Sequence, residues 1–126
     1  MIRRAHQRAS ATLTSALADD RFTPTQFFAM ARLHERGQLS QNRLGRLTAM
    51  DPATIQGVIR RLYDRGFIER RPDPTDRRRT MLRLTPAGHD TIERLLDGIE
   101  TVSRDILAPL APDEQAQFRK LLKRIV

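Results

Sequence analysis

Apolar residues along this chain recur in helical phase over most of its length, and prolines cut that phase into segments. Ile2, Ala9, Leu13 and Leu17 fall on one face of a first predicted helix over residues 2–17. Four of the seven prolines follow a plausible N-cap: Thr23-Pro24, Asp51-Pro52, Thr85-Pro86 and, more weakly, Ala111-Pro112. Proline in the first helical position gives up no needed N–H and has its φ preset. Thr23 and Gln26 stand at capping-box spacing, with Phe22 and Phe27 at the staple positions around them. Met50 with Ile55, and Leu39 with Leu44, take the same places around caps at Asp51 and Ser40. Gly37 and Gly66 fall where helix C-caps belong. The predicted helices cover 2–17, 24–36, 41–48, 52–65, 86–107 and 112–125, the fifth stopped by Pro109. Strands are predicted at 67–71 and 80–84, where Leu82 and Leu84 alternate with Arg83. Pro72 and Pro74 forbid a regular strand between Arg71 and Thr80, so that segment is read as a loop.

The result is a mainly α chain with a small β-hairpin, of a length that suits one domain. Helix three turns Leu44 and Leu47 inward, and helix four turns Ile55, Val58, Ile59 and Leu62 inward at i, i+3, i+4, i+7 spacing. Ala53, Thr54, Gln56, Gly57, Arg60, Arg61 and Asp64 are left on the outer face of helix four. A recognition helix needs such a face: small and amide groups in its first turn for base edges, arginines later for bases or phosphates. An ordinary solvated face has the same composition. Gly57 is costly inside a helix, a cost that close approach to a groove floor would explain.

Charge sharpens the choice. The chain carries a formal net charge of +8, with 23 basic residues against 15 acids. Arg43 to Arg83 holds eleven arginines against five acids, a net +6, so an acidic partner is expected and that segment should meet it. Asp76, Arg77, Arg78 and Arg79 lie at the hairpin tip or its return side, close in sequence to the predicted recognition helix. A hairpin so placed is a wing, and narrow minor grooves attract inserted arginine. There is no cysteine, which excludes disulfides, thiolate catalysis and cysteine-based zinc sites. No catalytic set or phosphate loop stands out, and neither cofactor nor metal is expected. His89, Asp90 and Glu93 have ligand spacing, but such a cluster at a helix start usually faces solvent. With no long apolar run and no signal-peptide core, the protein is expected in the cytoplasm. A winged-helix module for RNA or protein binding is the competing reading. One Tyr and no Trp give single-stranded RNA little to stack on.

The run from Gln41 to Gly88, above all Asp73-Pro-Thr-Asp-Arg-Arg78 and Leu84-Thr-Pro-Ala-Gly88, resembles the MarR family of bacterial transcriptional regulators. The resemblance implies a winged helix-turn-helix homodimer on a palindromic DNA operator. It implies a DNA-binding lobe over 24–88 and dimerisation helices over 1–20 and 100–126 of a single domain spanning 1–126. It also implies that Asp76 braces the wing and that Arg78 enters the minor groove with Arg77 beside it. Ser40, Gln41, Ala53, Thr54, Gln56, Gly57, Arg60, Arg61 and Arg79 complete the expected DNA contacts. Two departures stand out. Gly57 replaces a frequent Ser, and helix one starts almost at Met1, which implies a shortened dimer contact.

Helix six presents Phe118, Leu121, Leu122 and Ile125 on one face, and helix one offers Ile2, Ala9 and Leu13. These are the expected dimer surfaces. His6 lies on the helix-one stripe with Arg3, Arg4 and Gln7 around it, and Phe28 can add a wall from helix two. That grouping suits a small aromatic carboxylate, which would release a repressor from its operator. The competing and more usual reading is His6 as a dimer-interface histidine, with solvated arginines.

Overall fold

The caps read from the sequence start the helices of the computed structural model, which describes all 126 residues. The order is α1 (Ile2–Ala18), α2 (Pro24–Arg36), β1 (Gln38–Ser40), α3 (Gln41–Leu47), α4 (Pro52–Asp64), β2 (Ile68–Pro72), β3 (Thr80–Leu84), α5 (Pro86–Leu107) and α6 (Pro112–Leu122). Thr23 Oγ1 accepts the Gln26 N–H at 3.3 Å and Gln26 Oε1 accepts the Thr23 N–H at 3.2 Å, closing the capping box. Thr85 Oγ1 accepts the Gly88 N–H at 3.0 Å. Ala111 has no side-chain acceptor, so its cap is one-sided: Glu114 Oε2 accepts the Ala111 N–H at 2.8 Å. Gly37 and Gly66 end α2 and α4 with φ of 80° and 77°, the left-handed region that L side chains avoid.

Three features depart from the sequence reading. β1 was not expected. Its three residues pair antiparallel with β3, Gln38 opposite Arg83 and Ser40 opposite Met81, so the hairpin becomes a three-stranded sheet in the order β1-β3-β2. A strand that short carries no alternation of its own; β3 creates it by pairing. β2 also runs through Pro72, opposite Thr80. It is an edge strand, where a missing N–H breaks no ladder. α6 ends at Leu122, short of the expected 125, and the Arg124 and Ile125 N–H groups donate to carbonyls three residues back.

The core lies between α2, α3, α4, α5 and the sheet. Met30, Leu33, Leu44, Ile59, Leu62 and Ile92 are fully buried there, each contributing about 1.5–3 kcal/mol. The predicted inward face of α4 is wholly buried. Only Leu17 of α1 and no residue of α6 is buried. One cluster ties the α1–α2 corner to the C-terminus of α4. The Arg65 guanidinium lies over the rings of Phe22 and Phe67, 4.3 and 4.9 Å from their centroids, and donates to the Arg21 carbonyl at 2.8 Å. No helix is long and apolar enough to cross a membrane.

Candidate nucleic-acid interface

The turn between α3 and α4 is made by side chains bonding back to backbone. Ser40 Oγ caps α3 at the Arg43 N–H, and Thr48 Oγ1 donates to the Leu44 carbonyl at 2.7 Å. Ala49 then takes φ 53°, and the Met50 N–H returns to the Gly45 carbonyl at 2.9 Å. Asp51 starts α4 by accepting the Thr54 N–H and the Thr54 hydroxyl, both at 2.8 Å. These bonds, the backbone one foremost, hold the Asp51 carboxyl below its ordinary value. With that turn closed, α4 carries Ala53, Gln56, Arg60 and Arg61 exposed along its outer face and Gly57 half-buried among them. The side chains of Gln56, Arg60 and Arg61 take no part in the hydrogen bonds above or in any of the five ion pairs. Nothing lies within 4 Å of a Cβ built on Gly57, so no contact inside the chain requires glycine there. Thr54 differs from its neighbours, because its hydroxyl proton is already given to Asp51.

The wing tip is held by two aspartates. Asp73 Oδ1 accepts the Thr75 N–H at 2.9 Å and the Thr75 hydroxyl at 2.8 Å, while the Asp73 N–H donates to the Arg79 carbonyl at 2.8 Å. The Thr75 bonds, and then the Arg79 guanidinium 3.9 Å away, hold the Asp73 carboxyl below the usual aspartate range. Asp76 Oδ1 accepts the Arg78 N–H at 3.0 Å. Arg77 and Arg78 themselves are exposed, and neither guanidinium has a partner in the chain.

The structure gives two expected contact residues other work. Ser40 is only 8 % exposed, pairs in β1, caps α3 and accepts from Arg79 Nη2 at 3.2 Å. Its role is to position α3 and the wing relative to each other. Arg79 joins Ser40 and Asp73, so it braces the wing base. Asp73 is the bracing residue that the sequence reading missed; its spacing to Thr75, Asp-Pro-Thr, is the signature of a local turn that would have found it. Gln41 sits half-buried in a polar cleft between α3 and the wing, with Arg46 and Arg78 on its walls.

A second site lies between α1, α2 and α5. A cavity of about 350 Å³ is walled by Leu13, Phe27, Phe28 and Val102, with three polar residues, His6, Ser10 and Ser103, at its lining. His6 Nε2 is 3.5 Å from Ser10 Oγ. His6 and Phe28 are thus brought together as expected, while Arg3, Arg4 and Gln7 are exposed and outside the lining. Ala9 and Leu13, expected at the dimer surface, line this cavity within the single chain, because α1 packs that stripe toward α5. The α5 contribution was missed, although Ile99, Val102 and Ile106 continue its apolar stripe beyond the hairpin lobe. Ile2, Phe118, Leu121, Leu122 and Ile125 are exposed, and no residue of α6 is buried.

Comparison with known proteins gives consistent relatives. A profile of the MarR family matches residues 22–80. The HTH-type transcriptional repressor NicR of Pseudomonas putida is 30% identical over 126 residues, covering 100% of this chain and 80% of that protein. A probable transcriptional regulator from Pseudomonas aeruginosa, of known crystal structure, is 46% identical with a TM-score of 0.91, covering 99% of this chain and 93% of that one. BpsR of Bordetella bronchiseptica, solved in work on regulation of its DNA binding by 6-hydroxynicotinic acid, is 32% identical with a TM-score of 0.89, covering 98% and 89%.

Proposed function

The chain belongs to the MarR family of DNA-binding transcriptional regulators, and from that premise we propose a homodimeric repressor, released from a palindromic operator by a small aromatic carboxylate. The observation that carries the ligand-responsive part is the cavity between α1, α2 and α5. Its walls are apolar and aromatic, its polar groups are few, and its volume of about 350 Å³ suits a single-ring acid. Its position gives it leverage. α2 belongs to the DNA-binding lobe, and α5, which also lines the cavity, leads directly into α6, whose exposed apolar face a second subunit would cover. A ligand wedged there prefers one spacing of the two lobes over another, and only such a difference in affinity shifts the equilibrium. A tenfold release from DNA needs about 1.4 kcal/mol of coupling.

Two relatives support the reading: NicR is named a repressor, and BpsR is described with 6-hydroxynicotinic acid acting on its DNA binding. That compound is a pyridine carboxylate. Within this cavity His6 would meet the carboxylate, and Ser10 and Ser103 would meet ring substituents. Arg3, one helical turn before His6, would add positive potential at the mouth. On DNA, the outer face of α4 would enter the major groove, with Arg78 and Arg77 at the neighbouring minor groove.

Thermal-shift measurements with benzoate-like, hydroxycinnamate-like and pyridine carboxylates, 6-hydroxynicotinic acid among them, test the reading. At least one should raise the melting temperature and release duplex DNA, and His6→Ala should weaken that response. If none does either, the effector part fails and the DNA-binding part stands.

A further inference from the structure

A third feature lies outside both sites. Arg36 at the end of α2, Arg43 in α3 and Arg79 before β3 line one open cleft of about 290 Å³ around β1. Arg36 and Arg43 are exposed and absent from every ion pair in the chain. Glu35, the acid next to Arg36 in sequence, is bonded to Arg32 at 2.7 Å and feels Arg36 only as a weaker, longer-range attraction. No carboxylate lines the cleft, and Asp73, the acid beside its Arg79 wall, is already shared between Thr75 and Arg79. Two unpaired guanidiniums, beside a third only partly compensated by Asp73, leave this concavity with an excess of positive charge that an anion would relieve. Arginine forks match the oxygens of a phosphate better than they match a single acceptor.

Continuity identifies the anion. This cleft shares Ser40 and Arg79 with the polar cleft between α3 and the wing, where Arg46 and Arg78 stand. The cationic surface therefore runs from the wing tip, where Asp76 is the one acid in the lining, past β1 to the end of α2. We propose that the Arg36–Arg43–Arg79 cleft holds an additional phosphodiester of the DNA backbone, beyond the contacts of α4 and the wing tip. The inference rests on the reading of α4 and the wing as the DNA-facing surface. The cleft is open and mostly polar, which suits a backbone phosphate that keeps part of its hydration.

The test is a salt titration of duplex binding by fluorescence anisotropy, comparing the intact chain with Arg36→Ala/Arg43→Ala, Arg36→Gln/Arg43→Gln and Arg78→Ala. Releasing one phosphate per subunit should lower the slope of log K against log salt by about 0.9, or about 1.8 for two subunits. That decrease should add to the decrease from Arg78→Ala. Circular dichroism melting shows that each variant is folded, and the glutamine pair serves if the alanine pair is not. An unchanged slope in folded Arg36/Arg43 variants, beside a reduced slope in Arg78→Ala, overturns this proposal alone. Unchanged slopes in all variants overturn the wing reading with it. If inorganic phosphate stabilises the intact chain but not the Arg36/Arg43 variants while the DNA slope stays the same, the cleft is a free-anion site and the backbone proposal falls.

Discussion

At the wing tip, residues of one charge type have been given different tasks. Arg79 is held between Ser40 and Asp73, whereas Arg77 and Arg78 point their guanidiniums at nothing in their own chain. Arg77→Ala and Arg78→Ala should therefore leave the melting temperature almost unchanged, since exposed loop-tip changes cost at most about 0.5 kcal/mol. Each should still lower the salt slope of operator binding, measured by anisotropy, by about 0.9 for every phosphate the side chain had neutralised. Asp73 should behave in the opposite way. Its carboxyl lies below the ordinary value because Thr75 and Arg79 favour the charged form. A depressed carboxylate stabilises above its unfolded pKa, about 3.9, and that stabilisation is lost as pH falls through the lower folded value. Hydrogen exchange of the Thr75 amide, corrected for its intrinsic rate, should stay slow from neutral pH down to about pH 4 and then accelerate. In Asp73→Ala it should be fast throughout, and a slow amide in that variant would remove Asp73 as the brace.

At the scale of the element, two helical glycines look alike in the sequence and differ in the fold. A Cβ on Gly57 meets nothing within 4 Å, whereas a Cβ on Gly88 would sit 2.0 Å from the Phe67 carbonyl oxygen. That carbonyl also accepts the Thr85 N–H at 3.0 Å, so it is fixed from the α5 side. Gly88→Ala must push the start of α5 away from the end of the α4–β2 corner, and a loss of about 2 kcal/mol or more is expected in denaturant melts. Gly57→Ala should instead gain about 0.5–1 kcal/mol from helix propensity. The same variant should bind operator more weakly if α4 lies close against the groove floor. Full operator affinity in Gly57→Ala would mean that this face keeps its distance from DNA.

For the whole molecule, the apolar face of α6 is the largest unfinished business of the single chain. Phe118, Leu121 and Leu122 are 43, 48 and 40 % exposed, and α6 buries no residue at all. A contiguous apolar patch of that kind marks an interface, and under the proposed homodimer a second copy related by a two-fold axis would cover it with the same residues. The two α4 helices would then face successive major grooves about 34 Å apart. Leu121→Glu is expected to give monomers at micromolar concentration in sedimentation. It should also weaken operator binding by about a hundredfold or more, because linked half-sites gain that much from effective concentration. A Leu121→Glu protein that remains a dimer with full affinity would place the interface elsewhere.

Local rules in the sequence were enough for the helices, their caps and the inward face of α4. Thr23, Ser40, Asp51 and Thr85 act on backbone N–H groups three residues away, and Ile55, Val58, Ile59 and Leu62 share a face by period alone. The charge of the wing was legible for the same reason, since net charge is a sum over neighbours in sequence. Tertiary structure decided what depends on partners far along the chain. β1 exists because β3, some forty residues away, offers it a ladder. Ser40 and Arg79 became braces because folding brings them within 3.2 Å across 39 positions. Ala9 and Leu13 line a cavity because α5 returns alongside α1 and adds Val102 and Ser103 to its walls. Periodicity shows that a face is apolar; only the packed chain determines which other face it meets.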